Sequence, residues 1–191
     1  MNTAIFLDRD GVLIEDVHLL TDPRDIRIME GVPHALQCLR KAGFRLIVIS
    51  NQTVVARGLL TEHEVCAINS KMIHLLDKAG GGRLDGFYFC PHHPNATLPN
   101  YRIACDCRKP RPGLLLRAAR EHGLSMSDSF TVGDRITDII AGARAGCRTV
   151  LVQTGKHKLP PIETMDPLID SVQPDYICIN LNAAAKWILK I

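Results

Sequence analysis

Two carboxylates, Asp8 and Asp10, follow directly on the apolar run Ala4-Ile5-Phe6-Leu7, in the order A-I-F-L-D-R-D-G. Such a pair has two readings. It is a turn whose residues happen to be acidic, or a site where one acid attacks and the other moves a proton. The same pattern recurs along the chain. Leu46-Ile47-Val48-Ile49 ends on Ser50-Asn51-Gln52, and Phe130-Thr131-Val132 ends on Gly133-Asp134, with Asp138 one helical turn further on. Arg108-Lys109-Pro110 lies between the second and third of these stations. Beside clustered carboxylates, a lysine neutralises both an acid and a bound anion. D-x-D alone is a weak signal. Three apolar runs that each end on such groups are a strong one, provided the runs are strands of one sheet.

A second constellation is softer in its chemistry. Cys90, His92, Cys105 and Cys107 form C-x-H, a gap of twelve residues, then C-x-C. Three thiolates and an imidazole suit a closed tetrahedral zinc site, which has no open position and is therefore structural. His93 is the rival ligand to His92. The segment from about 90 to 109 has no hydrophobic periodicity, and a loop of that length needs something to hold it. The remaining cysteines, Cys38, Cys66, Cys147 and Cys178, sit singly in helix-like or strand-like segments and read as small buried hydrophobes.

The elements that would carry these residues alternate. Ala4–Leu7 reads as a strand, Val32–Ala42 as a helix with Pro33 in its first turn, and Leu46–Ile49 as a strand covered on both faces. Thr61 and Glu64 form a capping box that opens a helix to about Lys78. A strand at Phe87–Cys90 precedes the Cys/His loop. Then follow a helix at Leu114–His122, a strand at Phe130–Val132, a helix at Asp138–Ala145, strands at Thr149–Val152 and Tyr176–Ile179, and a helix at Ala183–Leu189. Repeated strand–helix units predict an α/β fold, doubly wound and Rossmann-like, with a mostly parallel sheet. In such sheets ligands bind beyond the carboxyl ends of the strands. With no linker or internal repeat, residues 1–191 read as a single domain.

Composition narrows the function classes. The chain has 191 residues and a net charge of +3, without the basic run or the stacking aromatics that a nucleic-acid surface needs. No apolar stretch reaches the ~18–20 residues of a membrane span. The first strand begins within three residues of Met1, and the odd count of seven cysteines is unlike a disulfide framework. A cytoplasmic protein is expected, and a monomer, since no spare apolar helix face stands out.

D-R-D-G, I-S-N-Q, R-K-P and V-G-D-R-I-T-D, in this order, resemble the four motifs of the haloacid-dehalogenase-like phosphohydrolases, over nearly the whole chain. The stretches N-Q-T-V-V-A-R-G-L-L-T, F-C-P-H-H-P and C-D-C-R-K-P-R-P-G are similar to the small zinc-containing branch of that family, which handles heptose 1,7-bisphosphate and histidinol phosphate. The resemblance implies a Mg²⁺-dependent phosphomonoester hydrolase. Asp8 would be the nucleophile that forms an aspartyl phosphate, and Asp10 the general acid and then base. Ser50 and Lys109 would stabilise the phosphoryl oxygens. Mg²⁺ would be held by Asp8, the Asp10 backbone carbonyl and Asp134, with Asp138 in support. Zn²⁺ would be held by Cys90, His92, Cys105 and Cys107.

The segment from Gln52 to Lys109 leaves no room for a large cap domain of about 100 residues. Loops must then set specificity. Arg108 is the candidate for a second anionic group, because a guanidinium holds a phosphate bidentately. Asp16, His18, Leu19, Asn51, Gln52, Thr53 and Arg135 are the other candidate substrate contacts. Three places depart from the family pattern: Val12 stands where Thr is usual, D-V-H-L-L replaces a flap that usually reads H-G-Y, and N-Q-T-V replaces N-Q-S-G. The catalytic set is intact, whereas the substrate-facing parts differ. The expected substrate is the 7-phosphate of D-glycero-D-manno-heptose 1,7-bisphosphate, as in surface-glycan synthesis, with histidinol phosphate as the alternative. A phosphate-binding module without turnover is a third reading. The presence of both Asp8 and Asp10 speaks against it.

Overall fold

The computed structural model describes residues 2–155 and 171–191. Its centre is a six-stranded parallel sheet in the order β3-β2-β1-β4-β5-β6. The strands are β1 (Ala4–Leu7), β2 (Arg45–Asn51), β3 (Gly86–Cys90), β4 (Phe130–Gly133), β5 (Arg148–Val152) and β6 (Tyr176–Cys178). The chain leaves β1 towards β2 and β3, then returns to the other side of β1 with β4. The winding direction therefore reverses between β1 and β4, and a crevice opens beyond their carboxyl ends. Register is set by β1, where Phe6 lies opposite Ile47 of β2 and Thr131 of β4.

Helices cover both faces, which is why the strands are continuous apolar runs rather than alternating ones. All four residues of β1 are buried. Ile5 and Leu7 point to one side, into a core shared with Leu36 and Leu39 of α1 (Val32–Lys41), Met72 and Leu76 of α3 (Glu62–Lys78), and Ala184 and Ile188 of α6 (Leu181–Ile188). Ala4 and Phe6 point to the other, against Leu115 and Ala118 of α4 (Gly113–His122) and Ala141 of α5 (Ile136–Ala145).

Local signals explain most boundaries. Thr61 caps α3 by accepting from the Glu64 amide at 3.2 Å, while the Glu64 carboxylate accepts from the Thr61 amide at 2.7 Å. Arg40 and Lys41 occupy the last turn of α1, where cations favour the negative end of the helix dipole. β2 is longer than its apolar run suggests, because Ser50 and Asn51 keep pairing with Phe89 and Cys90 of β3. One short helix, α2 (Thr53–Ala56), carried no periodic signal. From Gln52 to Lys109 the chain forms α2, α3, β3 and the Cys/His loop, with no inserted cap domain. Among the described residues no helix is long and apolar enough to cross a membrane.

Candidate active site

Asp8 stands one residue beyond β1, and Gly11 makes the turn that follows. Its φ of 77° is open to glycine, and a Cβ there would sit 2.8 Å from the Asp134 carboxylate. Gly155, beyond β5, closes the other side: a Cβ at that position would lie 2.1 Å from Asp134 Oδ2. Asp134, at the tip of β4, is thus seated in a cradle shaped by the absence of two side chains.

Lys109 is the hub. It is 4% exposed, and its ammonium lies 2.9 Å from Asp8 Oδ1 and 2.6 Å from Asp138 Oδ1 while donating to the Ile49 carbonyl at 2.8 Å. Those three acceptors match the three protons of an ammonium group. Asn51 fixes the lysine's backbone: its amide donates to the Lys109 carbonyl and accepts from the Lys109 amide, both at 3.1 Å. Burial pulls the lysine's proton affinity down, but Asp138 and Asp8 outweigh that and leave it above its ordinary value. Asp138 is committed on its other side too, since Oδ2 accepts from the Arg135 amide at 3.0 Å in the first turn of α5.

Burial raises Asp8 above the usual carboxylate range, with Lys109 opposing it. The Arg9 amide donates to Asp8 Oδ1 at 2.7 Å. Asp10 is also raised, again by burial first, against the pull of the Arg9 guanidinium. Its carboxylate faces Arg9 and Gln52 rather than the Asp8, Asp134 and Asp138 group. Gln52 Nε2 reaches Ser50 Oγ at 2.7 Å and Asp10 Oδ2 at 3.3 Å.

A cavity of about 200 Å³ is lined by Asp8, Asp10, Ser50, Lys109 and Asp138. The flap residues Asp16, His18 and Leu19 border it on one side, and Asn51, Gln52 and Thr53 on another. Arg108 and Arg135 also border it, so every substrate contact expected from the sequence is brought to this one space. His18 and Leu19 have φ values of 50° and 59°, a left-handed conformation that L side chains rarely adopt. The Asp16 carboxylate holds that turn by accepting from the His18 amide at 3.0 Å, and it pairs with Arg135 at 3.8 Å. Sequence reasoning missed Arg57 and Thr137, which also line the cavity. The Arg in N-Q-T-V-V-A-R was a usable signal, because α2 turns that residue back towards the Ser50 loop.

Among the described residues, two groups of side chains have the chemistry to hold metals. Carboxylate oxygens of Asp8, Asp134 and Asp138 lie within 4.8 Å of one another. These are hard donors, as Mg²⁺ requires. Asp138 is engaged through both oxygens, by Lys109 and the Arg135 amide, whereas Asp8 is engaged through Oδ1 alone, so Asp8 and Asp134 are the residues that could hold a cation.

Cys90, His92, Cys105 and Cys107 likewise converge within 4.8 Å. Their sulfurs are 2.9 to 3.5 Å apart, and His92 Nδ1 lies 3.3 Å from Cys107 Sγ. Cys107 is held down to about 5, first by its hydrogen bond with Cys90, so one sulfur already favours the thiolate that zinc binds. The choice between neighbouring histidines falls to His92. His93 is buried and instead accepts from the Asn95 amide at 3.0 Å. Arg108 donates to the His92 carbonyl at 3.1 Å, which ties the cavity rim to this cluster.

Comparisons with known proteins agree with this geometry. The HAD-hydrolase-like (haloacid-dehalogenase-like) family model matches residues 106–184. The D-glycero-beta-D-manno-heptose-1,7-bisphosphate 7-phosphatase of Photorhabdus laumondii is 42% identical over 154 residues, covering 80% of this chain and 81% of that protein. The protein of the same name from Escherichia coli K12 is 40% identical over 161 residues, covering 84% of each. The crystal structure of D,D-heptose 1,7-bisphosphate phosphatase from B. bronchiseptica, complexed with magnesium and phosphate, superposes with a TM-score of 0.82 at 32% identity over 98% of both chains. By fold, motif order and likeness to these enzymes, the chain belongs to the haloacid-dehalogenase-like phosphatases.

Proposed function

We propose that the chain removes the 7-phosphate of D-glycero-beta-D-manno-heptose 1,7-bisphosphate, through an aspartyl phosphate on Asp8. The observation that carries the chemistry is the Asp8–Lys109 pair at 2.9 Å, lining a cavity with Asp10 two residues on. The likeness to heptose-1,7-bisphosphate 7-phosphatases supports the substrate.

In this reading Lys109 keeps Asp8 ionised and takes up negative charge on the phosphoryl oxygens. Asp8 attacks phosphorus, which splits one hard hydrolysis into two easier steps. Asp10 gives a proton to the departing sugar oxygen, then accepts one from the water that cleaves the aspartyl phosphate. Ser50 Oγ offers a hydroxyl to the same oxygens, and Asn51 holds Lys109 in register. These are positioning and electrostatic contributions, which dominate phosphoryl transfer. Mg²⁺, held by Asp8, Asp134 and the Asp10 carbonyl, would neutralise phosphoryl charge when bound. Arg108 receives the sugar's second phosphate at the rim.

Phosphate release measured on the β-anomer of the 1,7-bisphosphate, the corresponding 7-monophosphate and histidinol phosphate tests the substrate. The bisphosphate is expected to give a kcat/KM about tenfold or more above either competitor, an increment of about 1.4 kcal/mol. Equal values for bisphosphate and monophosphate would remove the role given to Arg108.

The Cys/His cluster is proposed as a structural Zn²⁺ site that sets the course of Arg108 and Lys109. Replacing a ligand should therefore act at a distance. Cys107→Ala is expected to lose bound zinc and to lower turnover by about 10²-fold, the usual effect of an ångström of misplacement. Elemental analysis and phosphate release on the same sample check both. A zinc-free variant with wild-type turnover would contradict the proposal.

A further inference from the structure

Arg9 lies between the two acids in D-R-D-G and lines the same cavity, with its guanidinium engaged by Asp10. It is 2% exposed, and its guanidinium grips the Asp10 carboxylate side-on. Nη2 is 2.8 Å from both oxygens and Nε is 3.2 Å from both. The remaining terminal nitrogen, Nη1, donates to Asn69 Oδ1 at 3.0 Å. Asn69 is itself out of place by composition. It is 3% exposed on the buried stripe of α3, among Val65, Ile68, Met72 and Leu76. A leucine there would suit both the helix and the core better. A buried amide oxygen at that position needs a donor, and Arg9 is that donor.

We propose that Arg9, anchored by Asn69, is a positioning residue. It holds the Asp10 carboxyl on the cavity wall, where the leaving oxygen collects its proton as the P–O bond breaks. Two guanidinium nitrogens that each reach both carboxylate oxygens remove rotational freedom that a single hydrogen bond would leave. Gln52, at 3.3 Å from Asp10, is a weaker third restraint. Asp10 remains partly open to the cavity, with its side chain 26% exposed against 3% for Arg9. The clamp therefore grips the acid from behind and leaves a face for substrate. α3 thus acts on the reaction from outside the cavity, through one buried amide.

This inference rests on the reading of Asp10 as the proton donor, and the test separates the two. The probes are a sugar phosphate, whose alkoxide must be protonated to leave, and p-nitrophenyl phosphate, whose leaving group departs without a proton. The comparison uses kcat/KM, which reports the first irreversible step and not the later cleavage of the aspartyl phosphate. The enzyme is the full chain with Mg²⁺. Asp10→Asn is the reference and should lose the sugar phosphate selectively.

Asn69→Leu, which keeps the apolar stripe of α3, is expected to lower kcat/KM for the sugar phosphate about tenfold, part of the 10²–10⁴-fold that a general acid supplies. Its kcat/KM for p-nitrophenyl phosphate should stay within about twofold, since the fork acts only through the proton donor. Arg9→Lys, which keeps the charge but not the fork, should show the same selectivity. Equal losses on both substrates, or none, in folded Asn69→Leu and Arg9→Lys overturn the positioning role. Equal losses in Asp10→Asn would overturn the assignment of Asp10 itself, and the inference with it.

Discussion

Asp8→Asn is expected to lower phosphate release by about four orders of magnitude or more, equivalent to about 5 kcal/mol of transition-state stabilisation. The substitution keeps the shape of the side chain and removes its nucleophilic oxygen and its charge. Lys109 keeps two of its three partners, Asp138 Oδ1 and the Ile49 carbonyl, so the lysine stays paired. The fold should therefore survive, with a melting temperature within a few degrees of the wild type. A phosphate-release assay alongside a thermal melt separates lost chemistry from lost structure. Asp8→Asn at wild-type rate would leave the mechanism without a nucleophile.

Lys109→Met should harm both stability and catalysis. The ammonium lies between Asp8 and Asp138, and nothing in methionine replaces it. Removing one partner from a buried ion cluster leaves uncompensated charge, at a cost of about 3–5 kcal/mol. Loss of a cation aimed at the phosphoryl oxygens costs about 10²–10³ in kcat. The pH dependence has a defined sign. Without the lysine, nothing opposes the burial and the neighbouring Asp138 charge that raise the Asp8 carboxyl above its unfolded value. The folded state then binds more protons than the unfolded state, so stability falls as pH rises. Denaturant unfolding without added magnesium should show a larger deficit relative to wild type at about pH 8 than at about pH 5. A deficit independent of pH would mean that the lysine does not balance the two acids.

Much of this site was legible in the sequence because its residues follow the ends of apolar runs. Asp8, Ser50 and Asp134 each continue a strand whose interior residues are buried on both faces. Strand direction alone sends such residues to one edge. The thiol cluster was legible from spacing, whereas the choice of His92 over His93 was not. The two histidines are adjacent in one loop, and only the fold of residues 91–101 decides which one meets the cysteines.

What stayed hidden depends on contacts between distant elements. Asn69 carries no signal of its own in the sequence, and its burial follows from the packing of α3 with that position inwards. The double use of Asn51 on the Lys109 backbone joins residues far apart in sequence. α2 is a single turn of helix, too short for periodicity to mark it. The strained turn at His18 and Leu19 replaces the glycine that such a flap usually carries, and no propensity rule predicts leucine at positive φ.

The covalent step can be trapped directly. Enzyme quenched during turnover of the 1,7-bisphosphate and reduced with borohydride converts an acyl phosphate on aspartate to homoserine. Mass spectrometry of the N-terminal peptide should then find homoserine at position 8 and unmodified aspartate at position 10. Homoserine at position 10 or at Asp134, or an unmodified peptide under steady turnover, would contradict an Asp8 nucleophile.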